Sequence, residues 1–138
     1  MKNKPLTRAD PFKIKRKRDL IESAEDYTEL IQDLISNKGE ARVCDLAKHL
    51  GVSHVTVIRT LSRLELEGYL KNQTRGPIFL TKKGDKLAHQ SKKKHETLLK
   101  FLLKLGVSQA TAENDVEGIE HHISQETLSK ISEYLQRS

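Results

Sequence analysis

The segment from residue 41 to residue 70 constrains the fold more than any other part of the chain. Its sequence is ARVCDLAKHLGVSHVTVIRTLSRLELEGYL, in which apolar residues recur at helical spacing on both sides of Gly51-Val52-Ser53. We expect the following side chains to be buried: Val43, Leu46, Ala47 and Leu50 before the turn, and Val57, Ile58, Leu61 and Leu64 after it. Ser53 is a residue type that caps helix N-termini, and Gly68 can end the second helix. The segment therefore predicts two short amphipathic helices joined by a tight turn.

The polar side of the second helix carries side chains that suit contact with DNA. These side chains are Ser53, His54, Thr56, Arg59 and Arg63. In a helix-turn-helix motif the second helix lies in the major groove, where such groups contact base edges and phosphates. A small helical hairpin with a solvated polar face is the alternative for this segment alone.

A β-hairpin is predicted directly after the second helix, over residues 69–81 with the sequence YLKNQTRGPIFLT. Two short strands flank turn residues that run from Asn72 to Gly76. Arg75, at the tip of the hairpin, is placed to reach a phosphate or the minor groove. Because a hairpin in this position is typical of a winged helix-turn-helix, we favour the DNA-binding interpretation.

The remaining segments predict helices. One runs from about residue 20 to Gly39, a long one runs from Lys82 to Gly106, and two shorter ones begin after Ser108 and Ser124. The apolar share of 36% and aromatic share of 4% also fit a charged, helical protein better than a sheet sandwich. We therefore predict a mostly α fold: a winged helix-turn-helix DNA-binding domain over residues 20–83, then an all-helical dimerisation and metal-binding domain over residues 84–138.

The formal net charge of +6 comes entirely from residues 1–19, which hold five Lys and three Arg against two Asp. This segment has two prolines and no helical stripe, so we predict a basic, flexible arm that adds salt-dependent affinity for DNA. The sequence shows no secretory signal and no apolar run that could span a bilayer. The single cysteine, Cys44, excludes an internal disulfide and suits a reducing compartment. We expect a cytoplasmic protein with no membrane partner.

Residues 116–122, VEGIEHH, concentrate titratable groups beside a glycine. On one continuous helix Glu117, Glu120 and His121 would point from a single stripe, whereas His122 would point away from it. A solvated acidic helix face is the ordinary interpretation of such a cluster. Other segments hold similar groups that can face inward, so a second interpretation has to be considered.

Six polar side chains from three predicted helices could meet to form a metal site. They are Asp26 and Glu29 on the first helix, His95 on the long helix, and Glu117, Glu120 and His121 on the later one. Carboxylate and imidazole donors without a thiolate suit Mn²⁺ or Fe²⁺ better than Zn²⁺ or Cu⁺. Four carboxylates can balance two divalent ions, which favours a binuclear site.

At these residues the sequence resembles the diphtheria-toxin-repressor family of metal-dependent winged-helix regulators, in its manganese-responsive branch. The segments that carry the resemblance are AEDYTELI at 24–31, GEARVCDLAKHLGVSHVTVIRTLSRLELEGYL at 39–70, RGPIFLTKKG at 75–84, KHETLLKFLLKLGV at 94–107 and NDVEGIEHHIS at 114–124. The resemblance implies that the six side chains form paired sites in which bridging carboxylates hold two Mn²⁺ ions. It also implies that a methionine and a cysteine of the iron-responsive branch are replaced here by Asp26 and Glu117, the manganese-type choice. No SH3-like third domain is expected.

We therefore predict a manganese-responsive transcriptional repressor of metal-uptake genes, with Fe²⁺ or another divalent ion as the alternative cofactor. It would act as a homodimer on a palindromic double-stranded operator and would not be an enzyme. Without metal, repulsion among the carboxylates would leave the two halves loosely coupled. Two other functions are considered: a di-metal carboxylate enzyme in a helical bundle, and a metal-independent winged-helix regulator. The usual Glu-x-x-His pattern of di-iron bundles is absent, because Glu120 stands three residues after Glu117.

Overall fold

The computed structural model describes residues 9–72 and 76–137. These residues form six helices and two strands: α1 (Ala9–Lys38), α2 (Val43–Leu50), α3 (His54–Leu66), β1 (Leu70–Asn72), β2 (Ile78–Leu80), α4 (Lys82–Lys104), α5 (Gln109–Ile119) and α6 (Gln125–Gln136). The predicted mostly α fold class is confirmed. The predicted domain boundary at residues 83 and 84 falls in the first turn of α4 and stays a prediction.

Helices α2 and α3 form the predicted helix-turn-helix. Gly51 ends α2 in the left-handed conformation, with φ of 66°, which favours glycine. Ser53 then caps α3, because its hydroxyl accepts a hydrogen bond of 3.1 Å from the backbone N–H of Thr56. The turn therefore follows from two residues whose types suit the end of one helix and the start of the next.

The hydrophobic core of the DNA-binding half lies between α1, the helix-turn-helix and the hairpin. Its fully buried side chains are Ile31, Leu46, Val57, Leu61, Leu64, Leu70 and Ile78. Burying each such side chain stabilises the fold by about 1.5–3 kcal/mol. The prediction that Ile58 is buried is wrong, because its side chain is 50% exposed. Val57, Leu61 and Leu64 already form the inward stripe of α3, and Ile58 lies about 100° away from Val57 on the helix.

The hairpin is tied to the end of α3. Strands β1 and β2 are antiparallel and pair Leu70 with Leu80. The backbone N–H of Asn72 donates to the Glu65 carboxylate on α3 at 2.8 Å. The N–H of Ile78 donates to the carbonyl oxygen of Ala41 at 2.8 Å. The wing is thus held to the helix-turn-helix, whereas its tip, including Arg75, lies outside the described residues.

Helix α1 begins well before the residue predicted from the sequence. The predicted flexible arm is wrong for residues 9–19, which are helical, and residues 1–8 lie outside the described residues. Every residue from 11 to 20 is exposed. Adding residues to an existing helix avoids the cost of nucleating a new one, so a polar segment can continue it without burying a face. Pro11 lies in the first turn, where its missing N–H leaves no helical bond unmade.

The second half packs α4 against α1, α5 and α6. Ala88, Ser91 and Leu98 of α4 are buried, and so are Ala112 and Val116 of α5. The predicted apolar side of α6 is only partly covered, with Leu128, Ile131 and Leu135 half-buried. Across residues 9–72 and 76–137, no helix combines the length and the apolar character needed to cross a bilayer.

Candidate metal centre and nucleic-acid interface

The end of α5 determines where the VEGIEHH side chains point. The helix ends at Ile119, and Glu120 and His121 follow it in a turn. Both of these side chains are buried, whereas Glu117 lies on the exposed side of α5. The prediction of one continuous helical stripe is therefore wrong. Consecutive side chains on a helix diverge by about 100°, but a turn lets two neighbours enter the interior together.

The first cluster of possible ligands joins α1 to this turn. One ligand atom each from Glu22, Asp26 and His121 lie within 4.8 Å of one another. The Nε2 of His121 is 3.1 Å from Oδ1 of Asp26. Glu22 is not among the predicted site residues, although it lies four residues before Asp26 and so shares its helix face. That spacing is the signal that could have identified it.

The second cluster joins α4 to α5. It consists of His95, Glu117 and Glu120, again with one ligand atom each within 4.8 Å of the others. The Nδ1 of His95 is 2.6 Å from Oε2 of Glu120. The other carboxylate oxygen of Glu120, Oε1, is 3.3 Å from Nε2 of His121. Glu120 therefore touches a histidine of each cluster, which is the arrangement expected of a bridging carboxylate.

Glu29 is the one predicted ligand outside both clusters. Its carboxylate accepts a hydrogen bond from the hydroxyl of Ser91 on α4. Burial raises the pKa of Glu29, and the nearby charges of Asp26 and Glu25 raise it further, whereas the bond from Ser91 lowers it. A carboxyl group that burial and like charges disfavour as an anion gains from a nearby cation. The structure thus brings five predicted ligands into the clusters and sets Glu29 beside them.

The electrostatics of the clusters favour added positive charge. Burial raises the pKa of Glu120, although the bond with His95 opposes that change. Burial alone would lower the pKa of His121, but contacts with Asp26 and Glu25 outweigh it and raise this pKa to about 10. His121 is therefore positively charged at neutral pH, and its charge offsets the carboxylates around it. Imidazole and carboxylate donors around buried, acidic positions fit hard divalent ions, so the residues suit the predicted metals.

Glu25 is a buried carboxylate that the sequence prediction missed. It is 2% exposed, and its Oε2 forms an ion pair with Nζ of Lys94 on α4 at 2.8 Å. Burial would raise its pKa, but the proximity of His121 and Lys94 lowers it below the usual value. No sequence signal distinguishes Glu25 from a solvated helical glutamate, because its burial depends on the packing of α4 over α1.

The exposed surface of α3 contains most of the predicted DNA contacts. Ser53, His54, Thr56 and Arg59 are exposed, whereas Arg63 is half-buried with its Nε 3.5 Å from Glu67. Two apolar side chains that were not predicted to contact DNA also belong to this surface: Val55 is 63% exposed and Ile58 is 50% exposed. Apolar side chains left uncovered on a recognition helix can contact the methyl group of thymine. The remaining predicted DNA contact, Arg75 in the wing, lies outside the described residues.

Two family models match consecutive parts of the chain. The iron dependent repressor N-terminal DNA binding domain matches residues 19–77, and the iron dependent repressor metal binding and dimerisation domain matches residues 81–138. The transcriptional regulator MntR of Salmonella typhimurium is 46% identical over 121 residues, which are 88% of this chain and 75% of that protein. The chain belongs to the diphtheria-toxin-repressor family, in its MntR branch. A second relative, the HTH-type transcriptional regulator MntR of Lysinibacillus sphaericus, is 41% identical over 83% of this chain and 82% of its own length.

Solved structures of diphtheria-toxin-repressor relatives share the fold. A manganese-dependent transcriptional repressor in complex with manganese is 25% identical, with a TM-score of 0.73 over 83% of this chain and 53% of that one. The IdeR protein of T. acidophilum is 29% identical, with a TM-score of 0.67 over 81% of this chain and 53% of its own. The present chain thus spans about half the length of these solved chains.

The division between the two family models passes through the candidate metal centre. Glu22 and Asp26 belong to the matched DNA-binding domain, whereas His95, Glu120 and His121 belong to the matched metal-binding and dimerisation domain. In this chain, the contact between His121 and Asp26 therefore joins the two matched domains directly.

Proposed function

We propose that this protein is a manganese-responsive transcriptional repressor whose metal centre connects a DNA-binding half to a dimerisation half. The observation that carries the proposal is the position of Glu120, which contacts His95 and His121, while His121 contacts Asp26 on α1. The manganese named for the solved repressor complex agrees with this donor set. Membership of a family of regulators favours this function over a di-metal enzyme.

Two groups of residues would hold the metal ions. Asp26 and His121, with Glu22 or Glu29 nearby, would hold one ion, and His95, Glu117 and Glu120 would hold the other. When bound, divalent ions supply positive charge that offsets the neighbouring carboxylates. Glu120 then restrains both histidines at once. Fe²⁺ or another divalent ion with the same donor preference is the alternative cofactor.

The halves are also joined by contacts that involve none of the proposed ligand pairs. Lys94 of α4 pairs with Glu25 of α1, and Lys92 of α4 pairs with Asp33 of α1 at 2.5 Å. The sequence led us to predict that, without metal, carboxylate repulsion leaves the two halves loosely coupled. We replace that prediction with a different proposal. The ion pairs keep α1 against α4, and the metal centre sets the angle at which the two helices meet.

Helix α3 would make the contacts with the bases of the DNA. Ser53, His54 and Thr56 lie at the N-terminal end of the recognition helix, where side chains reach base edges, and Arg59 lies one turn further on. Arg63 and Arg75 stay candidates for phosphate contacts. A homodimer would present two such helices to half-sites about 34 Å apart, so the operator would be palindromic.

The dimer partner would be a second copy of the chain. The matched metal-binding and dimerisation domain contains exposed apolar side chains that such a contact would cover. They are Leu103, Leu105, Ile119 and Tyr134. We place the regulator in the cytoplasm, where its DNA and a reducing environment for its one cysteine are found.

The proposal is tested by selecting duplexes from random DNA with the purified full-length chain, once with Mn²⁺ and once with a chelator. The expected result is enrichment of a palindrome in the presence of Mn²⁺ alone. Equal enrichment of the same sequence with the chelator would instead indicate a metal-independent winged-helix regulator. Absence of enrichment under both conditions would contradict a DNA-binding function.

A further inference from the structure

We propose that Glu25 is a positioning residue of the metal centre: it holds the imidazole of His121 so that Nε2 faces the metal, without being a ligand itself. This inference rests on the proposed function, because it concerns how one of the ligands is oriented. Glu25 belongs to neither ligand cluster. Its place is on the opposite side of the His121 ring.

The two nitrogens of His121 have different neighbours. Nε2 lies 3.1 Å from Asp26 and 3.3 Å from Glu120, both candidate ligands. Nδ1 is buried and has no hydrogen-bond partner within the described part of the chain, and Oε2 of Glu25 lies 3.8 Å from it. The ring is thus placed with Nε2 toward the cluster and Nδ1 toward Glu25.

This arrangement matches how proteins orient metal-binding histidines. A ligating imidazole commonly donates its other N–H to a carboxylate, which fixes both the tautomer and the orientation of the ring. A hydrogen bond between Nδ1 and Glu25 requires the two atoms to approach by about 1 Å. Both side chains are buried but rotate about their own χ angles, so a small rotation of the ring supplies that distance.

Lys94 explains why Glu25 orients a ligand and is not one. Its Nζ lies 2.8 Å from Oε2 of Glu25, the oxygen that faces Nδ1 of His121. A buried carboxylate needs a compensating charge, and Lys94 supplies it from within the protein. The charge of Glu25 is therefore offset by a lysine, in contrast to Asp26 and Glu120, which have no lysine partner among the described ion pairs.

The test compares Mn²⁺ binding by the full-length wild type, Glu25→Gln and Glu25→Leu, measured by calorimetry. The leucine fills the space of the side chain but cannot accept a hydrogen bond, so Mn²⁺ affinity is expected to fall by about 10- to 100-fold. The glutamine oxygen still accepts from Nδ1–H, so its loss is expected to be smaller. Circular dichroism checks that each variant is folded. If Glu25→Leu does not fold, Glu25→Gln still tests the proposal.

A second readout follows the His121 ring directly. In ¹⁵N-histidine protein loaded with diamagnetic Cd²⁺, the wild type is expected to show a protonated Nδ1 and metal at Nε2. Glu25→Leu is expected to show a mixture of rings bound through Nε2 and through Nδ1, because nothing then fixes the ring orientation, and Glu25→Gln is expected to keep the single form. A merely structural contact between α1 and α4 would not move this signal.

Asp33→Asn is the matched control, because it removes the carboxylate of another α1–α4 lysine pair without touching His121. It is expected to leave Mn²⁺ affinity and the His121 signal unchanged. Wild-type affinity and metal bound through Nε2 alone in Glu25→Leu, or metal bound through Nδ1 in a folded Glu25→Gln, would overturn the positioning role. A wild-type protein that does not bind Mn²⁺ would overturn the proposed function together with it.

Discussion

Glu117 and Glu120 share a cluster but differ in their surroundings. Glu120 is buried between two histidines, whereas Glu117 reaches the same cluster from the exposed side of α5. A substitution at Glu117 therefore changes the donor atoms of the cluster with little effect on the core. This makes Glu117 the best position at which to test metal preference.

Glu117→Cys is expected to weaken Mn²⁺ binding and to shift preference toward softer ions, because a thiolate replaces a hard oxygen donor. Competition between Mn²⁺ and Cd²⁺ measures the ratio of the two affinities. Glu113→Cys, one turn earlier on the exposed side of α5, is the control. An unchanged ratio in Glu117→Cys would count against a ligand at this position.

Arg59→Ala is expected to cost about 1–3 kcal/mol of DNA-binding free energy if the guanidinium contacts a base edge. The measurement is titration of the selected duplex with Mn²⁺ present, and Lys100→Ala on α4 is the control for removal of a surface charge. Unchanged affinity would show that Arg59 is outside the interface. Loss of the dimer instead would mean that this surface of α3 has another role.

At the residue scale, the donor types of the metal centre were predictable from the sequence, whereas the burial of individual side chains was not. The oxygen and imidazole donors of the centre followed from residue types, and five predicted ligands do meet in the two clusters. Two residues show this limit: the burial of Glu25 was missed, and Ile58 was wrongly predicted to be buried. Position on an ideal helix says which residues share a face, but the packing of α4 over α1 buries Glu25, and the packing of α2 and the hairpin decides which side of α3 is covered.

Among the elements, α2 depends on a carboxylate at its N-terminus. The Asp45 carboxylate accepts the backbone N–H of Arg42 at 3.2 Å and pairs with Lys38 at 2.9 Å. Asp45→Ala is expected to lower the free energy of unfolding by about 1 kcal/mol, measured by urea unfolding near neutral pH. Glu40→Ala, which removes an exposed partner of Arg42, should have a smaller effect.

The Asp45 contribution has a defined pH dependence. The bond from Lys38 lowers the pKa of Asp45 below its usual 3.8. Its stabilisation is therefore fully present above the unfolded-state pKa and is lost as the pH falls through the lower, folded-state pKa. Wild type and Asp45→Ala should converge in stability at that acid end. A constant difference throughout the acid range would contradict the role of the ionised carboxylate.

The basic extension of α1 is the second element to test. Deleting residues 1–19 is expected to reduce the slope of log affinity for DNA against log salt, by about 0.9 for each phosphate that the extension neutralises. Replacing Lys13, Lys15 and Lys17 by Gln keeps the helix and should reduce the slope in part. An identical slope in both variants would leave this extension without a nucleic-acid role.

Element types were more predictable than element ends. Periodicity and capping residues such as Ser53 and Ser124 located the helices, since those signals are local. The start of α1 and the end of α5 were missed. A polar segment joins α1 because an adjacent, packed helix nucleates it. Helix α5 stops at Ile119, and Glu120 and His121 after it turn into the interior.

In the whole molecule, α1 connects the functions of both halves. Ile31 and Leu34 pack into the core of the DNA-binding half, whereas Asp26 contacts His121 from the other half. The two-part organisation was predictable because each part has its own apolar pattern. The contact between them was not predictable from periodicity, because it joins residues that are far apart in the sequence.

Coupling between the metal and DNA sites is expected to be reciprocal. If Mn²⁺ tightens binding of the selected duplex by some factor, the duplex must tighten Mn²⁺ binding by the same factor. Calorimetry of Mn²⁺ binding with and without the duplex measures one side, and DNA titration with and without Mn²⁺ measures the other. A scrambled duplex is the control. A factor of one on both sides would contradict metal control of DNA binding.

The length of α1 has a mechanical consequence. One unbroken helix of 30 residues, about 45 Å long, contains Asp26 and Ile31 within a turn and a half of each other. There is no hinge between these two positions, so a tilt imposed at one is transmitted rigidly to the other. A small displacement beside His121 would therefore reorient the hydrophobic core that Ile31 shares with α3.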